Sequence, residues 1–172
     1  MNVMLLLLAS CASVAAPPPS APDLSEIRLF ETRYLQTVDE GNVAAQLEMV
    51  SHDPAVYSIL DGEVWLGWDA VKAQAEAYVP ISKLVGNAVD KIEIIPLNAD
   101  TAIVVLQVHS VKRDPANTSF PDMSGFLTHV LRKEAKGWMV LHEHFSTSQT
   151  PEFIAWKAAL IEAQRRAATE KK

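Results

Sequence analysis

The hydrophobic pattern of this chain changes its period near residue 89, and that change restricts the folds open to it. Before residue 89, apolar residues recur every three or four positions, as at Ile27, Phe30 and Val38, which predicts amphipathic helices. After residue 89, apolar and polar residues alternate over long stretches, which predicts strands with one buried face. Helices followed by long neighbouring strands are typical of an α+β domain, with the helices packed on one face of an antiparallel sheet.

Short signals mark where the helices begin and end. A cap at Asp23 begins the first helix and Gly41 ends it, and a shorter second helix follows. The third helix begins after Gly67 and is expected to stop at Pro80. Between the second and third helices, residues 55–60 are predicted as the first strand, and Asp61-Gly62 predicts a two-residue hairpin turn into a second strand at residues 63–66.

Four long strands are predicted at 89–97, 101–112, 125–133 and 138–146. The core face of the first two carries Ile92, Ile94, Ala102, Val104, Leu106 and Val108. Their opposite face is half apolar, with Ile95, Ile103 and Val105, so we expect something to cover it. The cover is either a second copy of the chain or a closing helix that begins at Pro151 and carries Phe153, Trp156 and Leu160.

Composition excludes several classes of protein. With 49% apolar residues in 172, the chain can bury the core of one domain. Fifteen Lys and Arg against 21 Asp and Glu, a net charge of −6, argue against a nucleic-acid partner. A single cysteine excludes a disulfide framework and any CxxC pair. We expect no cofactor.

The first 22 residues carry no charge and have the layout of an export signal. Leu8-Ala9-Ser10-Cys11 resembles a bacterial lipobox, which implies acylation of Cys11 and a periplasmic or membrane-anchored lipoprotein whose only membrane contact is its lipid. The proline-rich residues 17–22 would then form a stiff spacer. Ordinary cleavage after Ala15 or Ala16, or no processing at all, are the alternatives.

Three histidines are the candidate catalytic residues. Strand alternation places on one face Trp138, Val140, His142, His144 and Ser146. A four-residue loop between the last two strands would set His129 opposite His142 and Leu127 opposite His144. Glu143 falls on the other face, which suits the outside of the sheet.

The histidines have three possible roles. They are hydrogen-bonded wall residues, general acids and bases, or ligands of a metal, and we expect no metal because no carboxylate second shell is visible. The pocket around them is predicted to include Leu127, Trp138 and Val140. Tyr34, on the first helix, and Tyr57, on the first strand, could each place a hydroxyl in it.

The closing hairpin, residues 125–133 and 137–146, resembles that of SnoaL-like domains of the nuclear-transport-factor-2-like superfamily. Asp53-Pro54, Asp61-Gly62 and residues 67–71 match the family's first strand, turn and third helix. The resemblance implies a cone-shaped α+β barrel with a pocket at its wide end and a dimer formed through the sheet.

These observations divide the chain into a signal and spacer at 1–22, a SnoaL-like domain at 23–148, and a helix with a charged tail at 149–172. The expected function is an exported, lipid-anchored protein that binds a small, largely apolar molecule. Two alternatives stay open. One is an enzyme of isomerase, cyclase or hydrolase type that uses a pocket histidine, and the other is a dimeric interaction module without catalysis.

Overall fold

The computed structural model of the protein describes residues 22–82, 85–112, 122–148 and 150–170. Its elements, in chain order, are α1 Leu24–Glu40, α2 Val43–Leu47, β1 Tyr57–Leu60, β2 Glu63–Leu66, α3 Trp68–Ser82, β3 Val85–Asn98, β4 Thr101–Lys112, β5 Ser124–Glu134, β6 Gly137–Thr147 and α4 Pro151–Glu170. The predicted α+β class with a fourth, C-terminal helix is confirmed. None of the described helices is long and apolar enough to cross a membrane. The predicted lipobox with Cys11 lies outside the described residues.

Local signals set both ends of α1. Asp23 accepts a hydrogen bond from the backbone N–H of Ser25 at 2.8 Å, as an N-cap does. Gly41 ends the helix with a φ of 68°, a left-handed conformation that glycine adopts at no steric cost. The predicted stop of α3 at Pro80 is wrong, because the helix continues to Ser82 with the proline inside it. Proline lacks an N–H and crowds the carbonyl one turn earlier, but the two residues after it keep their own N–H groups.

The six strands form one sheet in the order β2-β1-β6-β5-β4-β3. The strands β3 to β6 pair antiparallel with their chain neighbours, but β1 pairs with β6 in parallel. The predicted antiparallel sheet is therefore wrong at this one pair. Parallel pairing is possible here because most of the domain lies between β1 and β6 in the chain, whereas a tight turn can join only antiparallel strands.

The inner face of β3 and β4 is the predicted one. The β4 residues of this face are buried: Ala102, Val104, Leu106 and Val108. The β3 residues Ile92 and Ile94 are partly buried and pack against them. Ile27 and Tyr34 of α1 belong to the same core. The helices therefore cover the concave side of the sheet, as the resemblance implied.

In the part of the chain that the structure describes, three residues interrupt the strand register as β-bulges: Asp90 and Leu97 in β3, and Leu141 in β6. Each adds one residue with no partner on the neighbouring strand, which bends the strand and increases its twist. Each also resets which residues of its strand face the helices. The bulge at Leu141 determines the composition of the candidate site.

Candidate functional site

A carboxylate–histidine–carboxylate cluster lies in the interior of the domain. His129 is 0% exposed, and its two ring nitrogens point at different acids. Nδ1 lies 3.0 Å from both carboxylate oxygens of Glu31, and Nε2 lies 3.1 Å from Oε2 of Glu143. Since a carboxylate only accepts hydrogen bonds, both ring nitrogens are placed as donors, as in an imidazolium ion.

Three elements bring the cluster together. Glu31 sits on the buried side of α1, one turn after Ile27. His129 points inward from the middle of β5, between the buried Leu127 and Leu131. Glu143 lies directly opposite His129 on β6.

The bulge at Leu141 places Glu143, and not His142, opposite His129. Lys133 pairs with Trp138 as predicted, but the extra residue shifts every later partner by one. The shift also exchanges the faces of β6, because side chains alternate from one face to the other. The prediction that all three histidines share the inner face is therefore wrong.

His142 and His144 lie on the outer face of the sheet. The ring of His142 packs on that of Tyr57, with centroids 4.2 Å apart, and the His142 and His144 centroids are 6.5 Å apart. His144 is exposed and His142 is half-buried. Burial and the neighbouring His144 hold the pKa of His142 below its ordinary value. Both residues are separated by the sheet from the interior cluster, so they cannot join His129 in an acid–base or metal site.

Glu143 is the centre of a wider hydrogen-bond network. Tyr34 donates its hydroxyl to Oε2 of Glu143 at 2.6 Å, and Ser58 donates to Oε1 at 3.3 Å. Gln46 donates from Nε2 to the Tyr34 oxygen at 2.9 Å. Such bonds to a carboxylate are charge-assisted and therefore hold its geometry firmly.

The electrostatics of the network favour a charged cluster. Burial acts to lower the pKa of His129, but the charges of Glu31 and Glu143 and the bonds to them raise it to about 10. Burial acts to raise the pKa of Glu143, but His129, Tyr34 and Ser58 bring it below its ordinary value. Burial, with the charge of Glu143, raises the pKa of Tyr34 well above its ordinary value. At neutral pH the geometry is that of a glutamate anion held by an imidazolium and a phenol.

An open cavity of about 180 Å³ adjoins this network. Glu143, Tyr34 and Gln46 form one polar wall of the cavity. The rest is lined mainly by aliphatic and aromatic side chains, with further polar groups from Asp61, Gln74, Ser82, Asn87, Thr147 and Lys157. The helix α4 closes one side with Phe153, Trp156 and Lys157. Phe153 is buried, so α4 covers the cavity rather than the outer face of the sheet.

Lys157 is paired at the edge of the cavity. Its Nζ lies 3.7 Å from Oδ2 of Asp61, and Oδ1 of the same carboxylate accepts hydrogen bonds from the backbone N–H and the hydroxyl of Thr147. Asp61 has a φ of 48° in the tight turn between β1 and β2, where the hairpin requires a left-handed residue. The turn predicted from Asp61-Gly62 thus supplies part of the cavity wall.

A family model of the SnoaL-like domain matches residues 27–150. The chain belongs to the SnoaL-like family. Among curated proteins, none matches this SnoaL-like chain.

Solved structures share the fold at low sequence identity. A cystatin-like-fold protein of unknown function from Nostoc punctiforme is 15% identical with a TM-score of 0.63, covering 78% of this chain and 97% of its own. A protein of unknown function from Shewanella oneidensis, similar to nuclear transport factor 2, is 18% identical with a TM-score of 0.59, covering 72% and 98%. A superfamily member from Salmonella enterica is 20% identical with a TM-score of 0.59, covering 74% and 92%. These likenesses support the cone fold.

The predicted pocket residues of this SnoaL-like domain fall into two groups. Tyr34 and Leu127 line the cavity. Trp138 and Val140 are core residues, 6% and 2% exposed, and Val140 with Tyr57 borders only a second cavity of about 10 Å³. Trp138 and Val140 point inward, but they lie near the start of β6, before the bulge. The cavity does not extend to that part of the strand.

His129 itself does not reach the cavity. Both of its ring nitrogens are bonded to carboxylates, so no free nitrogen is available to a ligand. It acts instead on Glu143, by charge and by hydrogen bond. Among the residues that the structure describes, no group of three or more His, Cys, Asp or Glu is placed to hold a metal ion.

Sequence reasoning missed Glu31, Gln46 and Glu143. Glu31 had a signal, since it stands in the apolar stripe of the first helix between Ile27 and Tyr34 and is only 1% exposed. Gln46 had the same signal within the short second helix. Glu143 had none, because strict alternation assigns it to the outside.

Proposed function

We propose that this SnoaL-like domain binds a small, mainly apolar molecule that donates a hydrogen bond to Glu143. The observation that carries the proposal is the open, mainly apolar cavity with the Glu143 carboxylate in its wall. The cone is not filled by its own side chains, which favours a ligand over an interaction module whose interior is solid.

The size of the cavity limits the ligand. Apolar cavities of about 150 Å³ bind benzene, so a cavity of about 180 Å³ suits a molecule with one six-membered ring and a short substituent. The Glu143 side chain is 16% exposed, and among the described residues its Oε1 receives only the long bond from Ser58. That oxygen therefore has the capacity to accept a bond from a ligand.

Benzyl alcohol, an aromatic ring with one hydroxyl donor, is expected to raise the melting temperature of the protein. A ligand that binds only the folded state stabilises it, by about 2.7 kcal/mol at a hundred times its Kd. Val108 lines the cavity, and Val108→Phe should fill it and remove the shift. The measurement is a thermal melt with and without benzyl alcohol at millimolar concentration.

Val111→Phe is the matched control, because Val111 is on the same strand, exposed, and away from the cavity. It should keep the full shift. An equal shift in Val108→Phe and the wild type would place benzyl alcohol elsewhere and contradict the proposal, as would a wild type that neither benzyl alcohol nor benzylamine stabilises.

The outer face of the sheet is the proposed dimer interface. Ile95 and Phe126 are 48% and 52% exposed there, beside the half-buried Ile103 and Val105, and α4 leaves this face uncovered. Ile103→Glu is expected to convert a dimer into a monomer, because it would bury two unpaired charges in the interface. Light scattering coupled to gel filtration measures the change.

Val64→Glu is the control for assembly, since Val64 is 62% exposed on the edge strand β2. It should leave the dimer intact. A monomeric wild type, or a dimer that survives Ile103→Glu, would refute this interface.

The proposed location is outside the cytoplasm, with the domain tethered through a lipid on Cys11. The support is the four-residue lipobox match followed by the proline-rich spacer. Cys11→Ala should abolish incorporation of radiolabelled palmitate and leave an uncleaved or mislocalised precursor, and Ser10→Ala should not. Mature wild-type protein with its N-terminus at Ala16 or Pro17 and no lipid would overturn the tether.

A further inference from the structure

We propose that the ligand of this cavity is a protonated amine, bound between the Glu143 carboxylate and the side-chain carbonyl oxygen of Gln46. The inference rests on the proposed function and names the class of molecule that the same cavity takes. It is carried by three independent features: the charge of the buried cluster, an unpaired acceptor, and the aromatic lining.

The buried cluster carries one excess negative charge. Glu31 and Glu143 contribute two carboxylates and His129 one cation, and moving the proton from His129 to Glu31 leaves the sum unchanged. Lys157 is the one cation among the described residues that line the cavity, and Asp61 pairs with it. A cation entering the cavity therefore meets a net negative wall, while a carboxylate would be repelled.

Gln46 presents a buried acceptor without a donor. The residue is 6% exposed and borders the cavity, its Oε1 is fully buried behind the cavity surface, and no group in the described ranges donates to that oxygen. The amide cannot simply be turned around, because Nε2 donates to Tyr34, whose own proton is committed to Glu143. A buried acceptor left unpaired keeps its full desolvation cost, so a small shift of the Gln46 side chain that brings Oε1 to a ligand donor gains that bond.

An ammonium group matches two acceptors better than a hydroxyl does. Its three N–H donors can bond Gln46 and Glu143 at once, whereas a hydroxyl has one proton for both. Its charge also strengthens the bond to Glu143. The cavity thus distinguishes an amine from an alcohol of the same shape.

The rest of the lining suits the organic part of such a cation. Five aromatic side chains border the cavity: Tyr34, Tyr78, Phe145, Phe153 and Trp156. Aromatic faces attract cations and also pack against apolar rings. A lipophilic amine, with one ring and a primary ammonium group, combines both requirements.

The experiment compares benzylamine, benzyl alcohol and benzoate, which share a ring and differ in charge. At pH 7, isothermal titration calorimetry of the full chain should show benzylamine binding about tenfold more tightly than benzyl alcohol, with no binding of benzoate. Benzyl alcohol binding as tightly as benzylamine would overturn the amine assignment and leave the proposed function standing. Benzoate, which has no donor for Glu143, would contradict both if it bound as tightly as benzylamine. Failure of all three probes to bind would overturn both.

Two variants locate the effect. Glu143→Gln should reduce the preference for benzylamine over benzyl alcohol to about onefold, and Gln46→Met should reduce it while leaving the negative charge in place. Glu48→Gln, an exposed change on the surface pair with Lys136, is the control and should keep the preference. A preference that survives Glu143→Gln would contradict the proposal, and the wild-type comparison decides the matter if that variant fails to fold.

Discussion

Replacing His129 with leucine is expected to lower the free energy of unfolding by about 3–5 kcal/mol, the largest effect of any single change considered for this protein. The substitution removes the cation between Glu31 and Glu143 and leaves two carboxylates in the interior. A buried charge that loses its partner keeps its desolvation cost without compensation. Urea denaturation, followed by circular dichroism, measures the change.

His144→Leu is the control, because His144 is exposed on the outer face and absent from the cluster. It should change stability by less than about 0.5 kcal/mol. The double variant Glu31→Leu with His129→Leu should recover part of the loss, since it removes one of the stranded charges. A loss in His144→Leu equal to that in His129→Leu would show that the cluster has no special role in stability.

The free energy of unfolding is also expected to fall as the pH rises from about 6.5 to about 10. An unfolded histidine titrates near 6.5, whereas His129 in the folded domain has a pKa of about 10 because two carboxylates hold its proton. The folded state therefore binds this proton more tightly. The protonated His129 contributes its full stabilisation below pH 6.5. This contribution is lost as the pH rises through about 10, the pKa of His129 in the folded domain.

Because a single proton is involved, the free energy of unfolding changes by at most about 1.4 kcal/mol per pH unit. Tyr34 extends the loss above pH 10, since its raised pKa means that the folded state also retains the phenol proton. Glu31→Gln removes one cause of the raised pKa of His129, so the variant should lose less stability across the same range. Urea denaturation at a series of pH values tests this, and a flat wild-type profile from pH 6.5 to 10 would refute the charged cluster.

The roles of the histidines show where sequence reasoning succeeded and failed. The inward position of His129 between Leu127 and Leu131 follows from alternation alone, and the structure agrees. The inward position of His142 and His144 followed from the same alternation and is wrong, because Leu141 adds an unpaired residue between Val140 and His142. Leu141 has no local feature that distinguishes it from an ordinary strand residue.

Buried acids were the second omission, and here the sequence did carry a signal. A glutamate on the apolar stripe of a helix is either solvated at its edge or paired in the interior, and Glu31 is paired. The partner could not be read from the chain, since His129 is 98 residues away. Only the packing of α1 onto β5 brings the two side chains into contact.

The sequence by itself determined the order of helices and strands, the hairpin turn at Asp61-Gly62 and the core face of β3 and β4. These features follow from short-range patterns of polarity and turn residues. The tertiary structure decided the parallel pairing of β1 with β6, the faces of β6 beyond Leu141, and the position of α4 against the cavity. Each of these depends on contacts between residues far apart in the chain. They are favoured by the burial of paired charges and of apolar surface, and no local sequence pattern shows which distant residues will be buried together.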